Sequence, residues 1–209
     1  MRAYAPGEID AGLSQEILAA VSDKFDSQLE FTMDLMRHAS LRGQEAGAQA
    51  SLYAALQARG YAMDRWSIDI DAIQDHPGFS PVKVDYTNAL NVVASHRPRS
   101  NQGRSLILNG HIDVVPTGPL EMWTQPPFEP RIEADWLYGR GGGDMKAGLC
   151  ANIFALDALR DLGLQPAAEV YIQSVTEEEC TGNGALSALV RGYQADAAII
   201  PEPEDEMLV

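Results

Sequence analysis

The 209 residues are 45% apolar and 22% charged, the proportions of an ordinary globular chain with one sizeable core, which sets aside disordered and collagen-like classes. A formal net charge of -15 argues against nucleic acid or an anionic membrane as partner, since both select basic surface, and is compatible with a bound cation. Cys150 and Cys180 are too few for a stapled secreted domain and read as buried or neutral thiols. The N-terminus carries acidic residues where a secretory leader would be apolar, and no apolar run approaches the roughly 18 residues of a membrane span, so the expected location is cytoplasmic.

From Leu13 to about His38, apolar residues recur at helical spacing (Ile17, Leu18, Val21, Phe25, Leu29, Met33, Met36), which predicts one long or two shorter amphipathic helices. Ser40 and Gly43 interrupt the pattern, and Gln44 to Arg59 is again helical, with Gly60 as its stop. Trp66 to Ile70 alternates as a short strand, and Asp71 to Tyr86 has the composition of a loop. Asn91 to Ser95 and Ser105 to Asn109 are the next strands, joined by a polar hinge that suits either a hairpin or a crossing between neighbours.

Asp135 to Tyr138 reads as a further short strand, followed by the GRGGGD turn and a helix from Lys146 to Leu162 that stops at Gly163. Glu169 to Val175 is β-branched and aromatic-rich, Gly184 to Arg191 is helical, and Ala197 to Ile200 has the apolar content of a buried strand. The alternation predicts an α/β fold: a mostly parallel sheet with helices on both faces.

The residues able to carry chemistry fall at the ends of these strands. His111 and Asp113 follow an apolar run and, two apart on an extended backbone, point to one side. Asp144 sits on a glycine-permitted turn before a helix, Glu177, Glu178 and Glu179 follow EVYIQSV, and Glu202 follows AAII. In open α/β sheets that edge is where ligands bind. Each has an ordinary reading alone: a hydrogen-bonded histidine, a helix cap, a solvated acidic loop, a rigid turn between two prolines. Together they would place like charges within a few ångströms, an arrangement that a divalent metal relieves. Imidazole and carboxylates without thiolates suit zinc, with cobalt or manganese as substitutes.

LILNGHIDVV, GRGGGDMKAG and TEEECTGNGA, in this order and spacing, resemble the signatures of the zinc-dependent amidohydrolases and exopeptidases that include acetylornithine deacetylase, succinyl-diaminopimelate desuccinylase, aminoacylase and carboxypeptidase G. The resemblance runs from about Leu29 onward and is nearest to the acetylornithine deacetylase side. It implies a zinc exopeptidase-like catalytic domain in which His111 ligates one of two zinc ions, Asp144 bridges both and Glu202 completes the His111 metal. It further implies that Glu178 is the general base, Glu179 binds the second metal, and Asp113 orients His111 from its far nitrogen. A shift of register by one would instead make Glu177 the base and Glu178 the ligand. The peptide bond from Asp144 to Met145 is expected to be cis, and the reaction to be hydrolysis of an amide in a small N-acyl amino acid or dipeptide.

The family also uses a late histidine ligand and an inserted lid and dimerisation domain. His38, His76 and His96 all precede the first motif, so none stands in the late position. The expectation is therefore a single partial catalytic domain over 1–209, holding the half-site of His111, Asp144 and Glu202, with a weak second metal site and poor turnover. Full-length relatives are expected to be homodimers, which leaves the state of this chain open. A dipeptidase or carboxypeptidase of the same family, or a non-catalytic metal-binding protein, are the alternatives.

Overall fold

A computed structural model describes residues 10–204. Residues 1–9, part of the stretch read for a leader, lie outside the described residues, as do 205–209.

The first predicted helical stretch is two helices, α1 (Ala11–Asp23) and α2 (Phe25–Met36), broken at Lys24. Asp10 caps α1, its carboxylate accepting the N–H of Leu13 at 2.8 Å. Helix α3 (Ala46–Ala58) then leads into β1 (Ala62–Ser67), which starts and ends earlier than the predicted Trp66–Ile70 strand. Asp64 and Arg65 hid it: their charges break the apolar alternation, yet Asp64 is satisfied from across the fold by Arg191 and Tyr193. The chain turns out of β1 where Asp69 accepts the N–H of Asp71, and a short α4 (Ile70–Ile73) opens the segment read as loop.

Strands β2 (Leu90–His96) and β3 (Leu106–His111) follow, then a hairpin of β4 (Arg131–Glu133) and β5 (Trp136–Tyr138). The long helix α5 (Ala147–Asp161) ends before Gly163, and β6 (Val170–Val175), α6 (Asn183–Val190) and β7 (Ala197–Ile199) complete the order.

The main sheet has the order β1-β2-β6-β3-β7. Strand β2 pairs antiparallel with both β1 and β6, while β6-β3 and β3-β7 are parallel, so β2 alone runs against the other four. The polar hinge after β2 is thus a crossing, because β6 lies between β2 and β3. On one face Leu52 and Leu56 of α3 and Leu149 and Ile153 of α5 pack on Val92, Ala94, Leu108 and Ile172. On the other, Ile73 of α4 and Leu186 of α6 meet Tyr86 and Ala89. This is the mostly parallel sheet covered on both faces that the alternation predicts.

Strand β7 departs from its expected burial. Ile199 is 50% exposed and Ile200 55% exposed, because β7 pairs only with β3 among the described residues and forms the edge of the sheet. Apolar content reports the capacity to be covered, not the covering itself. No helix among the described residues is long and apolar enough to cross a membrane.

Candidate metal centre

Because β3, β6 and β7 are parallel, their C-terminal ends open on one edge of the sheet. His111 closes β3, Glu177 to Glu179 follow β6, and Glu202 follows β7. Asp144 reaches the same edge from the turn at 142–146 that precedes α5, and its bond to Met145 is cis. Gly148, in the first turn of α5, is what lets the β7 exit lie against this helix: a Cβ there would stand 2.2 Å from the carbonyl oxygen of Pro201.

One ligand atom each from His111, Asp144 and Glu202 lies within 4.8 Å of the others. The imidazole is buried, and its Nε2 is 2.9 Å from Asp144 Oδ1, 3.6 Å from Glu202 Oε1 and 3.8 Å from Glu178 Oε2. Its Nδ1 donates to the backbone carbonyl of Asp113 at 2.9 Å, with the Asp113 carboxylate 3.6 Å away. The contact expected between Asp113 and the far nitrogen of His111 is thus made by the main chain of Asp113. The carboxylate instead faces the next loop, its two oxygens accepting the backbone N–H groups of Glu178 at 3.4 Å and Glu179 at 3.3 Å.

The charges are crowded. Burial works to lower the His111 pKa, but the carboxylates of Asp113 and Glu202 outweigh it and hold the ring above its ordinary value. Desolvation, with the charges of Asp144, Glu178 and Glu179, pushes Glu202 up to about 7, against the opposing pull of His111. Burial, then Asp144, also raises Glu179. A cation among these groups would reverse those shifts. Histidine Nε2 is left to face the carboxylates, the donors are oxygen and imidazole nitrogen, and no arginine or lysine is paired with Asp144 or Glu202 among the described ion pairs. This donor set fits a divalent metal.

The three consecutive glutamates separate sharply. Glu177 is 2% exposed on its side chain and is bound by Arg42 in a two-pronged contact, Nε to Oε1 at 2.5 Å and Nη2 to Oε2 at 2.7 Å. The Tyr86 hydroxyl donates to the same Oε2 at 2.6 Å, and that of Thr181 at 3.1 Å. Burial opposes ionisation of Glu177, but these donors prevail and hold its pKa below the usual value. Glu178 and Glu179 are directed elsewhere: Glu178 toward His111, and Glu179 into the field of Asp144.

Arg42, Tyr86 and Thr181 were invisible as site residues in the sequence. Arg42 lies 135 positions from Glu177 and Tyr86 lies 91 from it, and an arginine in a polar loop carries no local signal of a buried partner. Lys146 is equally unannounced: fully buried, it donates to the carbonyls of Leu35 and His38 at 3.0 Å each, tying the Asp144 turn to the end of α2. Cys150 is buried and Cys180 is exposed, and both are free.

Residues 107–207 match the model of Peptidase family M20/M25/M40. The chain is 42% identical over 118 residues to N-formyl-4-amino-5-aminomethyl-2-methylpyrimidine deformylase of Halalkalibacterium halodurans, covering 56% of this chain and 28% of that protein. It is 32% identical over 180 residues to succinyl-diaminopimelate desuccinylase of Methylibium petroleiphilum, covering 84% and 43%. Among solved structures, human carnosine dipeptidase 1 superposes with a TM-score of 0.67 at 18% identity, covering 89% of this chain and 40% of that one. An M20 family metallo-carboxypeptidase from Sulfolobus solfataricus gives 0.64 at 20% identity, covering 83% and 37%. The chain thus spans less than half the length of each of these proteins, and the structural matches establish a common fold. Residues 107–207 of this chain thus carry the part that matches Peptidase family M20/M25/M40, on a fold shared with a solved member of that family.

Proposed function

We propose that the chain is the metal-bearing part of a hydrolase that removes an acyl group from nitrogen in a small N-acylated amine or amino acid. The observation that carries this reading is the meeting of His111, Asp144 and Glu202 within 4.8 Å, with the Glu178 carboxylate 3.8 Å from the same imidazole. The names of the two curated relatives, a deformylase and a desuccinylase, support deacylation as the reaction class. N-Acetylornithine is the first substrate to try, followed by N-formyl and N-succinyl compounds.

In this reading His111, Asp144 and Glu202 hold a divalent ion, zinc by its donor set, and Asp144 with Glu179 offers a second position beside it. Such an ion supplies Lewis acidity toward the scissile carbonyl and toward water. Glu178 takes the proton of the attacking water and returns it to the departing nitrogen. Its exposure suits that task, because the carboxylate can swing between the two without breaking a structural bond. Glu177 is committed to Arg42 and Tyr86, which supports the register with Glu178 as base and Glu179 as ligand. Asp113 fixes the ring of His111 through its carbonyl and the glutamate loop through its carboxylate.

The substitution Glu178→Gln tests the reading. Hydrolysis is expected to be lost while zinc binding, followed by calorimetry, is retained. Undiminished hydrolysis in the variant would remove Glu178 from the mechanism, and absence of zinc binding in the parent would remove the metal centre.

A further inference from the structure

We infer that Arg42 is a positioning residue for the metal centre, acting through Glu177; this rests on the metal reading above. Glu177 adopts φ +67°, the left-handed region that side-chain-bearing residues rarely occupy. A conformation of that kind persists only where its surroundings hold it, and here they do so from both ends. The Arg42 fork and the Tyr86 hydroxyl grip the carboxylate, while the carbonyl of Glu177 accepts the N–H groups of Thr181 at 2.9 Å and Gly182 at 2.8 Å. Gly184 allows the turn to close on itself, since a Cβ there would lie 1.9 Å from the carbonyl oxygen of Thr176.

The consequence falls on the next two residues. With Glu177 fixed, the N–H groups of Glu178 and Glu179 both point at the Asp113 carboxylate, and their side chains are turned to the sheet edge that carries His111. Asp113 in turn holds Nδ1 of His111. The line from Arg42 to Glu177 to the paired amides to Asp113 to His111 joins the loop before α3 to the metal ligand without Arg42 touching it. Arginine suits this position because its fork meets both carboxylate oxygens at once; a lysine meets them as a single point charge.

The test uses the purified chain and Co2+ as probe, with affinity read by titration and geometry by the visible spectrum of the bound ion. Arg42→Gln is expected to weaken Co2+ binding about 10–100-fold, the range for loss of a partner behind a ligand, and to alter the spectrum, with amide exchange quickening in the peptide 177–181. Arg42→Lys should recover part of the affinity. Unchanged affinity and spectrum in Arg42→Gln, with Glu202→Gln still weakening Co2+, would overturn the positioning role and leave the metal centre standing. If neither Arg42→Gln nor Glu202→Gln affects Co2+ binding, the metal centre itself is misread. Should both Arg42 variants fail to fold under conditions where the parent is folded, Arg42 is a pillar of the fold and the positioning role is overturned.

Discussion

His111 Nδ1 donates to the main-chain carbonyl of Asp113 at 2.9 Å, and the opposite nitrogen of the same ring faces Asp144 at 2.9 Å. A carbonyl can only accept, so this bond sets the tautomer and turns Nε2 outward as the atom available to a metal. The ring is buried, and the carboxylates of Asp144, Glu178 and Glu202 gather at its Nε2.

Loss of a ligand should therefore cost more than loss of any residue behind it. His111→Ala and Glu202→Gln are each expected to lower zinc affinity beyond the roughly 10–100-fold that outer partners command. Calorimetric titration of the parent should show one tight site, since the Glu179 carboxylate is not part of the close cluster. An unaltered isotherm in Glu202→Gln would place the ion elsewhere.

Asp113→Asn keeps the carbonyl that binds His111 but replaces one of two carboxylate oxygens with an amide donor, which meets the N–H of Glu178 or Glu179 head on. Zinc affinity should fall about 10-fold while the ring tautomer, read by nitrogen NMR of His111, stays as it is. A change of tautomer would show that the carboxylate, not the carbonyl, orients the ring.

Gly148→Ala introduces a Cβ 2.2 Å from the Pro201 carbonyl oxygen, a backbone contact that no side-chain rotation relieves. The β7 exit must shift outward and carry Glu202 with it. Weakened zinc binding is expected with only a modest loss of melting temperature, because β7 is an exposed edge strand. Equal damage to stability and binding would argue that the contact supports the sheet more than the site.

Glu45 supplies a pH dependence away from the ligands. Its side chain is buried and accepts the N–H of Gly43 at 2.9 Å, and burial outweighs the backbone N–H groups of Glu45 itself and Gly43 and pushes its pKa up to about 7. The folded state holds this proton more tightly than the unfolded chain, whose glutamate titrates near 4.5. Its share of stability is therefore lost as pH rises from about 4.5 to about 7, a total on the order of 3 kcal/mol at about 1.4 kcal/mol per unit. Urea melts of the metal-free protein should show Glu45→Gln gaining on the parent across that window and no further above it. A constant difference between the two proteins at all pH values would show that Glu45 is already ionised when buried.

The amino-acid sequence by itself determined the element types of most of the chain, the strand ends at which His111 and Glu202 stand and the glycine turn that carries Asp144. Those properties are local: apolar periodicity, glycine turns and linked motifs are written within a dozen residues. Tertiary structure alone decided that β6 enters between β2 and β3, that β7 is an exposed edge despite its apolar residues, and that Glu177 is set apart from the two glutamates after it. Three identical side chains in a row carry no local difference. What distinguishes them is an arginine and a tyrosine delivered from 135 and 91 positions away, and only the folded chain brings a charge from that distance to within hydrogen-bonding reach.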